Sequence, residues 1–333
     1  MTRPDSITLD SVRGQVIDGQ SYIASTDFLP PSFVEGIAAN TSLWVAAQGL
    51  DVSRARVHAA CLRYFDDPWC DALVTQMDEA GIRQSVLMLA DFTYAISGLK
   101  LTIAEMIAHH RAVLDRHPGR FYVMLGVDPR WGRDGVDLFE RAIAENGFHG
   151  LKLYPPCGYS PSDEALWPFY EICQARGLPV SVHTGGTAMA LSLDLGYPRL
   201  IDRAARTFGG VNFILSHAST CYTDECVMLC NARPNVYLDV AAFAAQPRKR
   251  LSALFEYGIS HKLIFATDWP SFRGRGKQRS LLGEMFAEDG PVNHMRDFEV
   301  RRFFHGTLES LLPSNRSESR LDMPKAPNML RRA

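Results

Sequence analysis

Eight short apolar runs, each closing on a turn or polar residue, recur down this chain and limit what it can fold into. They are Gln15–Gln20, Gln84–Leu89, Phe121–Val127, His149–Tyr154, Leu178–His183, Val211–His217, Asn235–Val240 and Lys262–Thr267. Past the first, their starts lie roughly 25 to 35 residues apart, the length of one strand–helix–strand unit. Helical periodicity fills the gaps. Trp69–Ala80 carries Leu73, Met77 and Ala80 on one face and stops at Gly81, and Leu166–Arg176 carries Leu166, Phe169, Tyr170 and Cys173 and stops at Gly177. Arg248–Tyr257 and Asp297–Leu312 behave likewise. Eight strands alternating with helices predict an α/β fold, a (β/α)8 TIM barrel, with a doubly wound open sheet as the alternative.

The chain's 333 residues suffice for one barrel domain, read here as residues 1–312. The interval Ser21–Arg83 after the first run is too long for a plain connection, so an insertion is expected there. Leu50–Tyr64 reads as a helix within it, serving as a lid or an oligomer contact. Residues 313–333 are polar and uncapped and read as a flexible tail. Lys plus Arg (35) nearly balances Asp plus Glu (37), which argues against a nucleic-acid or membrane-surface binder. Met1–Gln15 lacks the apolar stretch of a signal peptide, and an odd seven cysteines without paired spacing fit reduced thiols. The expectation is a cytoplasmic protein that takes a small-molecule substrate.

In a barrel of this kind the chemistry sits at the C-terminal ends of the strands. The fifth run ends on His183, the sixth on His217, and the eighth runs on into Asp268. One such histidine alone is more often a hydrogen-bonded structural residue. Three proton-transferring or metal-binding side chains at equivalent ends are better explained as one catalytic rim, with His183, His217 and Asp268 as the candidate catalytic residues.

Several segments together resemble the amidohydrolase superfamily. They are Met77-Asp-Glu-Ala-Gly-Ile82, Gly147-Phe-His-Gly-Leu-Lys-Leu-Tyr-Pro-Pro156, Gly177-Leu-Pro-Val-Ser-Val-His-Thr-Gly185, Ser216-His217, Asn235-Val-Tyr-Leu-Asp239 and Phe265-Ala-Thr-Asp-Trp-Pro270. The resemblance is to the branch that holds aminocarboxymuconate-semialdehyde decarboxylase, aromatic acid decarboxylases and pyrone lactonases. It implies a barrel whose metal-dependent members bind a divalent ion through a His-x-His pair on strand one, a strand-five His and a strand-eight Asp. The last two match His183 and Asp268, and a strand-six His active in proton transfer matches His217.

Strand one departs from that pattern. It reads Ile17-Asp18-Gly19-Gln20-Ser21-Tyr22, with Gln20 and Tyr22 where the resemblance places imidazoles. An amide and a neutral phenol are poor ligands for zinc, and a catalytic zinc site normally has three good ones. The reading is therefore an enzyme without a cofactor. Zinc or manganese on His183 and Asp268 is the alternative, with Asp18 or His217 replacing the missing pair. In the metal-free reading His217, with an ordinary pKa near 6.5, serves as a general base near neutral pH. Asp268 orients His183 or takes a proton itself, and Gln20 and Tyr22 stabilise an oxyanion.

Around these, Lys152 and Tyr154 share a strand face, and an inward Lys152 suits a substrate carboxylate or enolate unless it pairs with an acid. Trp269 would shield Asp268. The loop Ser271–Lys277 offers Arg273, Arg275 and Lys277 to an anion, or is simply a solvated basic loop. Arg54, Arg56, His58, Arg63 and Tyr64 of the insertion could reach the pocket from above. The expected activity is hydrolysis of a lactone or amide in a small carboxylated cyclic or aromatic molecule. Non-oxidative decarboxylation, a cyclase or isomerase step, and a non-catalytic binding barrel are the alternatives, and a homodimer is the expected assembly.

Overall fold

The computed structural model describes residues 7–241, 243, 248–271 and 277–313. The flexible tail expected beyond Pro313 lies outside the described residues, as do Arg273 and Arg275. An eight-stranded parallel sheet runs in the order β1 (Val16–Ser21), β4 (Ile82–Leu89), β5 (Phe121–Gly126), β6 (Gly150–Leu153), β7 (Val180–Val182), β8 (Phe213–Leu215), β9 (Val236–Asp239) and β10 (Leu263–Ile264). Chain order equals spatial order, the signature of a (β/α)8 barrel rather than an open doubly wound sheet.

The barrel closes between β10 and β1. Gly19 N donates to Phe265 O at 2.9 Å, Asp268 N to Gln20 O at 2.9 Å, and Tyr22 N to Trp269 O at 3.0 Å. That seam requires glycine at position 19, because a Cβ there would lie 2.8 Å from Ile264 Cγ2 and 3.0 Å from Phe265 O. The ladder of β10 is only two residues long because Phe265 N turns to Phe303 O at 3.0 Å. The expected helix Asp297–Leu312 is interrupted at that place. It forms as α12 (Asp297–Arg301) and α13 (Thr307–Leu311) joined by a π turn, Arg302–Gly306, of the kind found where a helix must accommodate another contact.

Ile17, Val86, Met88, Met124, Ile214 and Ile264 fill the barrel, and Leu308, Leu311 and Leu312 stop its N-terminal end. The outer layer includes α4 (Asp71–Ala80), α6 (Gly132–Glu145) and α7 (Trp167–Arg176), which bury Leu73 and Met77, Phe139, and Phe169 and Tyr170 respectively. The ends of α4 and α7 fall at Gly81 (φ 78°) and Gly177 (φ 64°), left-handed caps that the sequence placed correctly.

The insertion holds two helices rather than one. The expected segment forms as α3 (Arg54–Arg63), preceded by α2 (Pro31–Ala47). They share a small core of Val34, Ala38, Val57 and Cys61. The antiparallel pair β2 (Ala24–Ser25) and β3 (Asp66–Asp67) pinches the base of this excursion. The start of α2 lies at the C-terminal end of the barrel: Phe33 packs on Phe92 (5.6 Å between ring centres), Phe92 on Tyr154 (5.2 Å), and Tyr154 stacks on His183 (4.1 Å).

Candidate active site

Lys152 of β6 points into the barrel and is almost wholly enclosed, at 1% exposure. Its Nζ donates to Ser181 Oγ (3.1 Å) and Ser216 Oγ (3.0 Å), and these two hydroxyls lie 3.2 Å apart, closing a triangle. Burial lowers the lysine pKa to about 8, against the opposing charges of Asp239 and Asp268. The structure turns the face that carries Lys152 inward, the condition on which its reading as a pocket cation depended. Its hydrogen bonds, however, are spent on two serines that the sequence analysis did not single out. Ser181 pairs with Lys152 in the β6–β7 ladder, a register that only the structure shows; its place two residues before His183 was the sole signal in the sequence.

On the rim, the ring of His217 lies edge-on to that of His183, 5.0 Å between centres. Gln20 Nε2 is 2.9 Å from Asp268 Oδ1, 3.4 Å from His217 Nε2 and 3.4 Å from the Tyr22 hydroxyl. Turning the amide over would set its oxygen against the carboxylate, so the nitrogen faces Asp268. His217 Nε2 therefore accepts, and its proton resides on Nδ1. His183 Nε2 faces Gly186 O at 2.9 Å, and a carbonyl only accepts, so that nitrogen carries the proton and Nδ1 is bare. Gln20 Oε1, His183 Nδ1, His217 Nδ1 and Ser219 Oγ are buried without a hydrogen-bond partner among the described residues. Such groups in one cluster are what a substrate or ordered water satisfies.

Burial, with the charge of Lys152 and a lesser pull from Gly186 in the other direction, takes His183 down to about 3. Burial, His183 and Lys152 hold His217 well below the ordinary imidazole range. Titration of His217 near neutral pH, as expected from its unperturbed value, is thus corrected: both rings stay neutral at pH 7. Burial and the Asp268 charge push Tyr22 well above the usual phenol range, so it remains an O–H donor.

Asp239, at the end of β9, was not marked by the sequence analysis. Its Oδ1 accepts His217 N at 2.8 Å and Ala241 N at 3.1 Å, and it is fully buried. It anchors a strained turn: His217, Ala218 and Ser219 have φ of 68°, 39° and 34°, left-handed values that non-glycine residues rarely adopt. Asp268 has φ 61° as well. No motif announces an acid that holds a neighbouring strand end by its backbone; the strain at 217–219 is the observation that exposes it.

Asp18 takes no part in the rim. Its Oδ1 accepts Gln20 N (3.2 Å) and Thr267 N (2.8 Å), and its Oδ2 accepts Gln278 Nε2 (3.0 Å) and a short bond from Thr267 Oγ1. It braces the β1–β10 seam, which rules out its use as a replacement ligand. Burial raises its pKa to about 7 in spite of those four donors. Tyr154 joins the site through its stack on His183 and a 3.1 Å contact to Thr187 Oγ1. Trp269 is buried next to Asp268, at the seam where its carbonyl accepts Tyr22 N. Lys277 pairs with Glu79 on the outside, 2.9 Å, and does not serve the rim. Arg54, Arg56, Arg63 and Tyr64 of the insertion are exposed.

A divalent ion of the kind described above fits these residues poorly. The amide nitrogen of Gln20, whose hydrogens carry partial positive charge, lies among Asp268, His217 and Tyr22 at the place where a cation would gather them. His183 turns a protonated nitrogen to Gly186.

A family model described as amidohydrolase matches residues 86–307. No curated protein sequence matches the chain. Among solved structures it is similar to 5-carboxyvanillate decarboxylase from Novosphingobium aromaticivorans, complexed with manganese and 4-hydroxy-3-methoxy-5-nitrobenzoic acid, at 16% identity and TM-score 0.63 over 92% of this chain and 99% of that one. It is also similar to a dihydroxybenzoic acid decarboxylase from Polaromonas sp. JS666 with bound manganese, at 17% identity and TM-score 0.59 over 89% and 96%. A third is 4-oxalomesaconate hydratase from Rhodopseudomonas palustris, at 15% identity and TM-score 0.58 over 90% and 96%. At these identities the likeness is one of fold. Among the described residues no helix is long and apolar enough to cross a membrane.

Proposed function

That the chain belongs to the amidohydrolase family of enzymes is the premise from which we propose its activity: metal-independent hydrolysis of a lactone or amide bond in a small carboxylated cyclic or aromatic substrate. The observation that carries this reading is the Gln20 amide seated between Asp268 and His217, with the Tyr22 hydroxyl beside it. A neutral donor pair stands there instead of two imidazole ligands. The Tyr22 hydroxyl can give an O–H bond to an oxygen that becomes negative in the transition state, while the two N–H groups of the amide hold Asp268 and His217 in place.

In this reading Asp268 takes a proton from water as the water oxygen adds to the substrate carbonyl carbon. The Tyr22 hydroxyl binds the resulting oxyanion, and Gln20 keeps Asp268 and His217 aligned with it. The carbon–oxygen or carbon–nitrogen bond then breaks, and the proton on Asp268 passes to the departing atom, so that one water is added in all. His217 offers Nδ1–H and His183 a bare Nδ1 to the polar groups of the substrate, and both remain neutral throughout. The field of Lys152 draws the substrate carboxylate toward the rim.

Non-oxidative decarboxylation is the second reading, favoured by the two decarboxylases of similar fold. A panel of carboxylated lactones, cyclic amides and hydroxybenzoic acids, assayed in the presence of a chelator, separates the two: acid release without carbon dioxide supports hydrolysis, and carbon dioxide release supports the second reading. Isomerisation without either product would mark a cyclase or isomerase. Tight ligand binding without turnover would mark a binding barrel. The assembly is proposed as a cytoplasmic homodimer, supported by seven free thiols and by the exposed Leu43 and Trp44 on α2.

A further inference from the structure

A buried lysine is commonly neutralised by a carboxylate at contact distance, and its charge then does little elsewhere. Lys152 differs. Its ammonium is held by two hydroxyls, Ser181 Oγ and Ser216 Oγ, and among the described residues no acid lies within ion-pair distance of it. Hydroxyls solvate the ammonium without cancelling its charge. Inside the barrel, where screening by water is weak, the field of that charge reaches the polar groups above it. Ser181 sits in β7 two residues before His183, which follows that strand, and Ser216 directly precedes His217, so the triangle forms the floor of the rim. Across from it, Asp239 ends β9 and Asp268 lies four residues past β10.

We infer that the Lys152 ammonium, seated on Ser181 and Ser216, is the resident cation of this site: it provides positive charge beneath the rim and repels a divalent ion from the space among His183, His217 and Asp268. The inference rests on the metal-free reading proposed above and adds a cause to it. Loss of the strand-one imidazoles is one barrier to metal, and the lysine charge is a second, independent one.

The test measures metal affinity rather than turnover. Binding of Mn²⁺ to the full chain is followed by electron paramagnetic resonance for the wild type, for Gln20→His/Tyr22→His, and for the same pair combined with Lys152→Met. With the imidazoles restored and Lys152 kept, binding is expected to stay weak; removing the ammonium is expected to tighten it at least tenfold. Equal affinity with and without Lys152 overturns the inference, as does tight binding by the double variant alone. Should the triple variant not fold, nitrogen NMR of the wild type labelled at lysine Nζ, with Lys152→Gln used for assignment, decides instead. A protected ammonium at pH 7 is expected, and a neutral amine contradicts it. Metal content of the wild type as purified bears on the metal-free reading alone. The Lys152-dependent ratio bears on this inference alone, so the two can fail separately.

Discussion

Gln20 Nε2 lies 2.9 Å from Asp268 Oδ1, and through that bond the first and last barrel strands share one polar contact at the mouth of the site. A donor to a carboxylate is worth about 1.5 to 3 kcal/mol, and this one also orients the groups that would meet a substrate.

Replacing Gln20 by Leu is therefore expected to lower kcat/KM by about 10- to 100-fold while the barrel stays folded. Steady-state kinetics on the substrate found in the panel, with circular dichroism as the folding control, checks this. Undiminished turnover would remove Gln20 from the machinery.

Asp239→Ala leaves the N–H groups of His217 and Ala241 without their acceptor. The left-handed turn at 217–219 then loses its anchor, and stability is expected to fall by about 2 to 4 kcal/mol. Asp239→Asn keeps an oxygen that can accept both bonds and should recover most of that loss. Urea unfolding of the two variants beside the wild type gives the comparison, and equal midpoints for Ala and Asn would contradict it.

Gly19→Ala tests the seam. The new Cβ would stand 2.8 Å from Ile264 Cγ2 and 3.0 Å from the carbonyl of Phe265, which is backbone and cannot swing aside. A loss of about 1 to 3 kcal/mol is expected in the same unfolding assay. No change would show that the strands can part there freely.

Acid lability has a definable source in His110, buried on α5 (Ile103–Arg116) with Nδ1 donating to Met106 O at 2.8 Å. Burial lowers its pKa from 6.5 to about 4. Below pH 6.5 the unfolded chain binds a proton that the folded chain refuses, so this stability is complete above 6.5 and is lost as the pH falls toward 4. The shift corresponds to about 3 kcal/mol. The difference in unfolding free energy between pH 7 and pH 4 should shrink by about that amount in His110→Leu. An unchanged difference would place the acid sensitivity elsewhere.

Much of the barrel was legible because its strands are apolar runs closed by turn chemistry, and Gly81 and Gly177 end helices where the periodicity stops. The later runs were read longer than their ladders. His183, His217 and Asp268 lie beyond the last paired residues, the latter two on left-handed backbone that no apolar pattern encodes. Helix α2 escaped notice since its buried Val34 and Ala38 are few and its Leu43 and Trp44 face outward, leaving little periodic contrast. Lys152 was visible as a lysine on a strand face shared with Tyr154, without a sign of which way that face turns. What holds it, two serines on neighbouring strands, depends on a register that the sequence does not spell out.

The central claim is that this rim works with Gln20 and Tyr22 in the places of imidazole ligands and without a divalent ion. Elemental analysis of protein purified without added metal, together with turnover before and after exhaustive chelation, tests it most directly. The expected result is far less than one zinc or manganese per chain and unchanged turnover. One tightly held ion per chain, with activity lost on its removal and regained on its return, would contradict it.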